Sequence, residues 1–414
     1  MDLMGAVGGG RAVLVVAVVA MIAAAGCVGG VADPAEEGDD GLDEEPPATN
    51  GAEDGGGDVM GAADDGDAID ADGDADDGGT PDGGAAEGVE GELEVHAIDV
   101  GQADATLIVG PEGTMLIDSG DWRDDGDAVI EYLENQGVER IDYLVTTHAH
   151  ADHIGGHAAV IEHYETDRDG VGQVWDPGVA HTSQTYEDYL DAVEEHDVDL
   201  IEAREGDEIP FEGADVRLFN PPAESDSDDL HYNSTTVHVE HGDRAFLFTG
   251  DAEDDAEERI AAEYGDELSA DVYQAGHHGS STSSTDAFLD RVDPEATVVS
   301  SAYDSQYGHP HDEVLDRFDE YGIDTYWTGV HGTTVFVSDG ETIGIHTQVD
   351  ATTDPTAIRD ESEADADTTE EAEERDAIER IAAEPWAVGQ APTAVAATTV
   401  PAATAATPAQ GVAA

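Results

Sequence analysis

The sequence predicts an α/β domain of packed layers across residues 92–349, and three observations predict it. Apolar alternation of period two and apolar spacing of helical period follow one another throughout that stretch. Several of the apolar strand-like runs stop at Gly, Asp or His clusters, where an α/β sheet presents its chemistry. Composition changes sharply on both sides, to acidic Gly- and Ala-rich chain before it and to acidic, then Ala/Thr/Pro-rich chain after it.

The elements follow in order. GELEVHAID (91–99) opens with apolar alternation, and ATLIVG (105–110) and TMLID (114–118) continue as strands. DAVIEYLENQGV (127–138) has helical spacing and leads into the strand IDYLVTT (141–147). HAAVIEHY (157–164) and TSQTYEDYLDAVEEH (182–196) read as helices, and DLIEA, DVRLFN, TTVHVE and RAFLFT as short strands. A helix from Ala252 to Tyr264, the strand DVYQA, the helix TDAFLDRV, the strand ATVVSS and the helix DEVLDRF come next. TTVFVS (333–338) and TIGIHT (342–347) close the domain as strands. Residues 350–414 read as a mostly disordered tail, with a short helix through EEAEERDAIERIAAEP.

The chain carries 99 acidic against 13 basic residues, a formal charge of −86, and every basic residue is Arg. An acidic tail does not account for this, because residues 91–349 alone hold 62 acids and 9 Arg. Self-repulsion on that scale destabilises a compact state in dilute buffer, whereas molar salt shortens the Debye length to about 3 Å. The composition therefore implies adaptation to a high-salt milieu, as in halophilic archaea. It also excludes a basic groove for nucleic acid.

Cys27 is the only cysteine, so no intramolecular disulfide forms. Arg11 precedes the apolar run AVLVVAVVAMIAAAGC, and Ala24, Ala25 and Gly26 lead into the cysteine. This is the pattern of a secretory signal (1–26) with a lipobox, which implies lipidation of Cys27 and a membrane anchor on the extracellular face. An uncleaved anchor with an incidental cysteine is the alternative. Residues 31–90 hold 22 carboxylates and no basic residue, so 27–91 is an extended acidic tether. After it no apolar run approaches the ~20 residues of a spanning helix.

The chemistry concentrates in TTHAHADHIGG (146–156), where His148, His150, Asp152 and His153 fall within six positions after an apolar strand. In extended chain, residues i and i+2 share a side, so His148 and His150 offer two imidazole nitrogens to one cation. Asp152 and His153 follow on a tightening turn before Gly155 and Gly156. Mixed imidazole and carboxylate donors suit Zn²⁺, with Mn²⁺ and Fe also compatible.

HxHxDH resembles the signature of the metallo-β-lactamase fold, and other blocks of that family follow in order. IDSG (117–120) resembles its early strand-end turn, TGD places Asp251 where the family has its bridging carboxylate, and GHHGS places His277 and His278 near its last histidine ligand. The stretches AIDVGQADATLIVGPEGTMLIDSG, NSTTVHVEHGDRAFLFTGD, GHHGSSTSS and YGHPHDEVLDRF resemble the extracytoplasmic hydrolase domain of the DNA-uptake protein ComEC. Parts are shared with secreted esterases of the phosphorylcholine type.

The resemblance implies an αβ/βα sandwich, two mixed β-sheets flanked by helices, and a pair of divalent cations that activate water. The implied metal ligands are His148, His150, Asp152, His153, Asp251 and His278. Asp152 would also orient the nucleophile and His277 would donate to a substrate oxygen. The roles of His277 and His278 could be exchanged. Asn233 stands where many members have a third histidine for the first cation, so it would face substrate, with His231 as a substitute ligand. His309 is a second candidate for substrate contact, and a loop histidine turned by Pro310 is the alternative. Ser284 or Thr285 reads as a helix cap.

The function expected is a secreted metal-dependent hydrolase of ester bonds, first a phosphodiesterase and, with nucleic acid as substrate only, a nuclease. A lactonase or β-lactamase type of carbonyl hydrolase, and a non-catalytic metal-binding surface lipoprotein, are the alternatives. The charge reading has a direct check. The melting temperature of the full chain should climb as salt rises from about 0.1 M to about 1 M, because the Debye length shrinks from ~10 to ~3 Å; a flat calorimetric profile would remove it.

Overall fold

The computed structural model describes residues 91–379, apart from 226 and 367. The expected signal segment, Cys27, the acidic tether before Gly91 and the chain beyond 379 lie outside the described residues.

Six strands open the first sheet: β1 (Leu93–Ala97), β2 (Thr106–Val109), β3 (Thr114–Ile117), β4 (Ile141–Val145), β5 (Val171–Asp176) and β6 (Asp199–Glu202). The chain then builds a second sheet from β7 (Glu208–Ile209), β8 (Asp215–Asn220), β9 (Thr236–His241), β10 (Arg244–Phe248), β11 (Val272–Gln274), β12 (Ala296–Val299) and β13 (Asp324–Trp327). It returns to the first sheet with β14 (Thr334–Ser338), β15 (Thr342–Thr347) and β16 (Glu373–Glu379). The first sheet runs β16-β15-β14-β1-β2-β3-β4-β5-β6 and the second β13-β12-β11-β10-β9-β8-β7. Both are mixed: β3 to β6 and β10 to β13 pair in parallel, and β14-β1-β2-β3 and β7-β8-β9-β10 pair antiparallel.

Period-two alternation assigns each strand face. Phe246 and Phe248 point between the sheets, where they pack with Val95, Val145, Val298 and Phe336, while Leu247 points to the opposite face against Ile260, Phe288 and Phe318. The outer face of the first sheet is covered by α1 (Asp127–Asn135), α3 (His157–Asp167) and α4 (Gln184–His196), through Val129, Leu133, Ile161 and Tyr189. The outer face of the second is covered by α5 (Asp254–Tyr264), α6 (Asp286–Val292) and α7 (Asp312–Tyr321). Two one-turn helices, α2 (Ala151–Ile154) and α8 (Thr328–His331), complete the set. The result is the αβ/βα sandwich expected from the sequence.

Besides the two-residue β7, three strands depart from the sequence reading. In β5 the buried residues are Val171, Val174, Trp175 and Asp176, which breaks the alternation, as suits a parallel strand covered on both faces. β13 is only DTYW, too short to show a period. The third, β16, lies where a helix was expected in a disordered tail. The compact unit continues to Ile378, with Ile358 packed under the second sheet's helices and Ile378 between the sheets. Two isolated isoleucines in acid-rich chain are invisible to a compositional argument.

The helix caps also differ. Ser183 caps α4 by accepting from the Tyr186 N–H at 3.2 Å. At α6 neither Ser284 nor Thr285 caps through its hydroxyl. The buried carboxylate of Glu257 instead accepts the Ser284 and Thr285 N–H groups at 2.6 and 2.8 Å.

A buried hydrogen-bond chain ties the end of β4 to α3. His157 Nδ1 lies 2.5 Å from Ser119 Oγ and its Nε2 3.0 Å from Thr146 Oγ1. Burial, helped by the charge of His153, pushes the His157 ring down to about 3. The folded value lies below the unfolded one, so this contribution is intact above pH ~6.5 and is lost as pH falls toward the folded value. Urea titrations between those limits should show stability falling with a slope of up to ~1.4 kcal/mol per pH unit from this one proton. His157→Gln should lack that slope; identical pH profiles for the two proteins would refute the assignment.

Candidate metal centre

The strand ends meet at one edge of the sandwich. TTHAH follows β4, Asp118 follows β3, Thr249 to Asp251 follow β10, and Gly276 to Gly279 follow β11. Close backbone approach requires glycine at two of these turns. A Cβ on Gly156 would sit 2.5 Å from the Ser119 carbonyl, and one on Gly250, which has φ 51°, would sit 2.6 Å from both Ser234 Oγ and Thr147 Cβ. The histidine turn and the β10 turn can therefore touch their neighbours directly.

Two groups of donors converge there. In the first, His148 Nε2 and His231 Nε2 lie 2.8 and 3.3 Å from His150 Nδ1, and Asp251 completes the set. In the second, Asp104, His153, Asp251 and His278 come together, all buried. Asp251 belongs to both. Its Oδ1 is 3.2 Å from His153 Nε2 and 3.8 Å from His278 Nε2, while its Oδ2 is 3.7 Å from His148 Nε2 and 3.6 Å from His277 Nε2. Asp152 reaches His278 Nε2 at 3.3 Å from the more open side.

These donors fit cations. His153 Nε2, His278 Nε2, Asp251 Oδ1 and Asp104 Oδ1 are buried and make no hydrogen bond, which would be costly unless something positive sat among them. The opposite ring nitrogens are held. His153 Nδ1 is 2.8 Å from Asp118 Oδ2, which also accepts from Thr147 Oγ1 at 2.6 Å, and His278 Nδ1 donates to the Ser300 carbonyl at 3.0 Å. Such partners fix the tautomer that leaves Nε2 as donor to a metal.

The electrostatics agree. Burial, with the charges of His153 and His150, holds His148 well below the ordinary imidazole value, so it is a neutral ligand. Burial works against protonation of His153 and His278, but Asp251, with Asp118 for the one and Asp104 for the other, raises both well above it. Burial likewise opposes charge on Asp152 and Asp251. The His278 ring beside Asp152, and the His153 and His277 charges beside Asp251, hold both carboxyls below the usual range. Without a cation, the carboxylates collect protons on the rings.

Of the site residues read from sequence, His148, His150, Asp152, His153, Asp251 and His278 stand in or against these two groups, and His277 borders them. His309 lies in the same rim, its ring stacked 6.3 Å from His278, with the Gln102 amide donating to Nδ1 at 3.4 Å. Asn233 is different. It is buried, and its amide donates to the carbonyls of Ser227 and Asp229 at 3.1 and 2.7 Å, so it pins its own loop and does not face substrate. His231, two residues earlier, enters the first group. Asp104 was missed, although it lies in the quoted VGQADA; a single acid in a loop carries no spacing signal.

Residues 98–302 match the family model described as the metallo-beta-lactamase superfamily. ComE operon protein 3 of Bacillus subtilis is 29% identical over 264 residues, 59% of this chain and 33% of that protein. Competence protein ComA of Neisseria gonorrhoeae is 31% identical over 248 residues, 60% of this chain and 32% of that protein. The chain thus spans about a third of the length of these relatives. Among solved structures, the metallo-beta-lactamase fold protein YhfI from Bacillus subtilis aligns over 60% of this chain and 100% of its own, with 9% identity and a TM-score of 0.40. Through residues 98–302 the chain belongs to the metallo-beta-lactamase superfamily of metal-dependent hydrolases, and its sequence is ComEC-like.

Proposed function

We propose that the chain is an exported, lipid-anchored phosphodiesterase, with nucleic acid as one class of substrate. The observation that carries the reading is the division of Asp251 between two histidine groups, Oδ1 toward His153 and His278 and Oδ2 toward His148 and His277. One carboxylate serving two sets of donors is the arrangement that holds a pair of cations. His148, His150, His231 and Asp251 would hold one, and His153, Asp152, His278 and Asp251 the other, with Asp104 behind them. Zn²⁺ suits these donors, and Mn²⁺ or Fe is compatible. Such a pair supplies an acidified water and charge neutralisation at a phosphoryl oxygen.

The protein's own groups do the rest. Asp152, on the open side of the second group, would orient the attacking water. His277 is part-exposed and presents Nε2 beside Asp251, in position to donate to a substrate oxygen. The Gln102 amide occupies Nδ1 of His309, which leaves that ring's proton on Nε2 as a second donor. An acidic protein without a basic groove must hold a phosphodiester by such short contacts, not by long-range attraction. Nucleic acid enters as a substrate class through the ComEC-like sequence blocks alone, since no basic groove draws it in.

The full chain in molar salt should hydrolyse bis-p-nitrophenyl phosphate with Zn²⁺ or Mn²⁺ and stop on chelation. Asp152→Asn should lower kcat by roughly 10²–10⁴-fold, and nitrocefin should not turn over. Bound ions with no phosphodiester turnover under any of these metals would sink the proposal, and nitrocefin cleavage would turn it to the carbonyl-hydrolase reading.

A further inference from the structure

A third group of metal-type donors borders the first: His231, Glu253 and His277. Glu253 Oε1 lies 3.5 Å from His231 Nδ1 and 3.3 Å from His277 Nδ1, and the two rings are 4.8 Å apart. The same His231 ring turns its other nitrogen, Nε2, to within 3.3 Å of His150 Nδ1 in the first group. Two readings compete. Either the three residues hold a cation of their own, or Glu253 orients His231 toward the first one.

The chemistry of the ring decides. A neutral imidazole has one lone pair and one N–H. For His231 to serve a cation through each nitrogen it must lose both ring protons, which a half-open site does nothing to favour. With Nδ1–H directed at Glu253, Nε2 turns its lone pair to the first group at no such cost. A carboxylate behind a ligating histidine is the usual means of fixing its tautomer and rotation. The first group needs that help. His148 and His150 sit on the short turn after β4, but His231 comes from a loop between β8 and β9, pinned there by Asn233 through the Ser227 and Asp229 carbonyls.

We propose that Glu253 is a positioning residue: its carboxylate holds Nδ1–H of His231 so that Nε2 completes the first cation's ligand set beside His148, His150 and Asp251. This rests on the metal centre described above. The carboxylate follows Asp251 by two residues, so one turn of chain after β10 supplies both the shared ligand and the group that orients the loop-borne one.

The test is a Zn²⁺ titration of the chelator-stripped full chain in molar salt, against a competing chromophoric chelator. The wild type should bind two ions. Glu253→Gln and His231→Gln should each weaken one of them by about 10–100-fold and leave the other unchanged. The double variant should be no weaker than His231→Gln alone, because Glu253 acts through that ring. Full retention of both ions by Glu253→Gln would overturn the proposal, as would additive losses in the double variant. A third wild-type ion lost in Glu253→Gln would also overturn it and make Glu253 a ligand. A wild type that binds no ion would defeat the metal-centre reading itself, a distinct result. Glu253 begins α5 without a side-chain cap hydrogen bond, so its replacement removes no helix cap. Should Glu253→Gln fold poorly by metal-free melting, Glu253→Ala carries the same expectation.

Discussion

The interaction on which the rest of the structure depends is the contact of one buried carboxylate, Asp251, with histidines from two different turns. Burying a carboxylate is costly, and burying several beside imidazoles without a compensating cation costs more. The fold meets the cost by tying the ligand rings to strand ends through their other nitrogens: His153 to Asp118 after β3, and His278 to the Ser300 carbonyl after β12. Strand register and ring orientation are therefore one constraint. Shifting either sheet by a residue would separate the donors as well as expose the core.

The same economy appears in the arginines. In a domain with so few cations, Arg244 reaches both the Glu341 carbonyl and Asp271, and Arg259 joins Glu205, Asn220 and the Phe219 carbonyl. These guanidinium groups bolt strands, loops and helices together and do not form a basic surface. What remains to meet an anion at the site is a pair of imidazoles on the rim, His277 and His309, whose ring centres lie 5.7 Å apart. The charge carried by the rest of the chain would repel a polyanion at low salt and be screened at high salt. A site that binds through short contacts tolerates that screening.

The parts of the site that were legible in the sequence are those whose donors are neighbours in the chain. His148 to His153 announce themselves by spacing, and the TGD and HHG turns through their order in the family resemblance. The α/β class was legible because period-two and helical runs alternate locally, and the αβ/βα sandwich through the resemblance that the HxHxDH stretch carries. What stayed hidden is set by distance in the chain. Asp104 is a lone acid in the loop before β2, Glu257 caps α6 from α5, and Asn233 was assigned to the cleft because alignment by motif order places a residue without aiming its side chain. β5 and β16 escaped because burial on both faces, or a lone buried Ile378, leaves no period to read.

That division has a physical origin. Ligands adjacent in sequence share a turn and must be chosen together, so they form a pattern. The groups that orient them are contributed by whichever strand end arrives opposite, and any carboxylate, hydroxyl or carbonyl at the right height will serve. Asp118 acts on His153 and a backbone carbonyl acts on His278, two chemically different solutions to one problem. A backbone carbonyl has no side-chain signature at all. The orienting layer of such a centre is specified by the fold more than by residue type, which is why its geometry has to be seen before its members can be named.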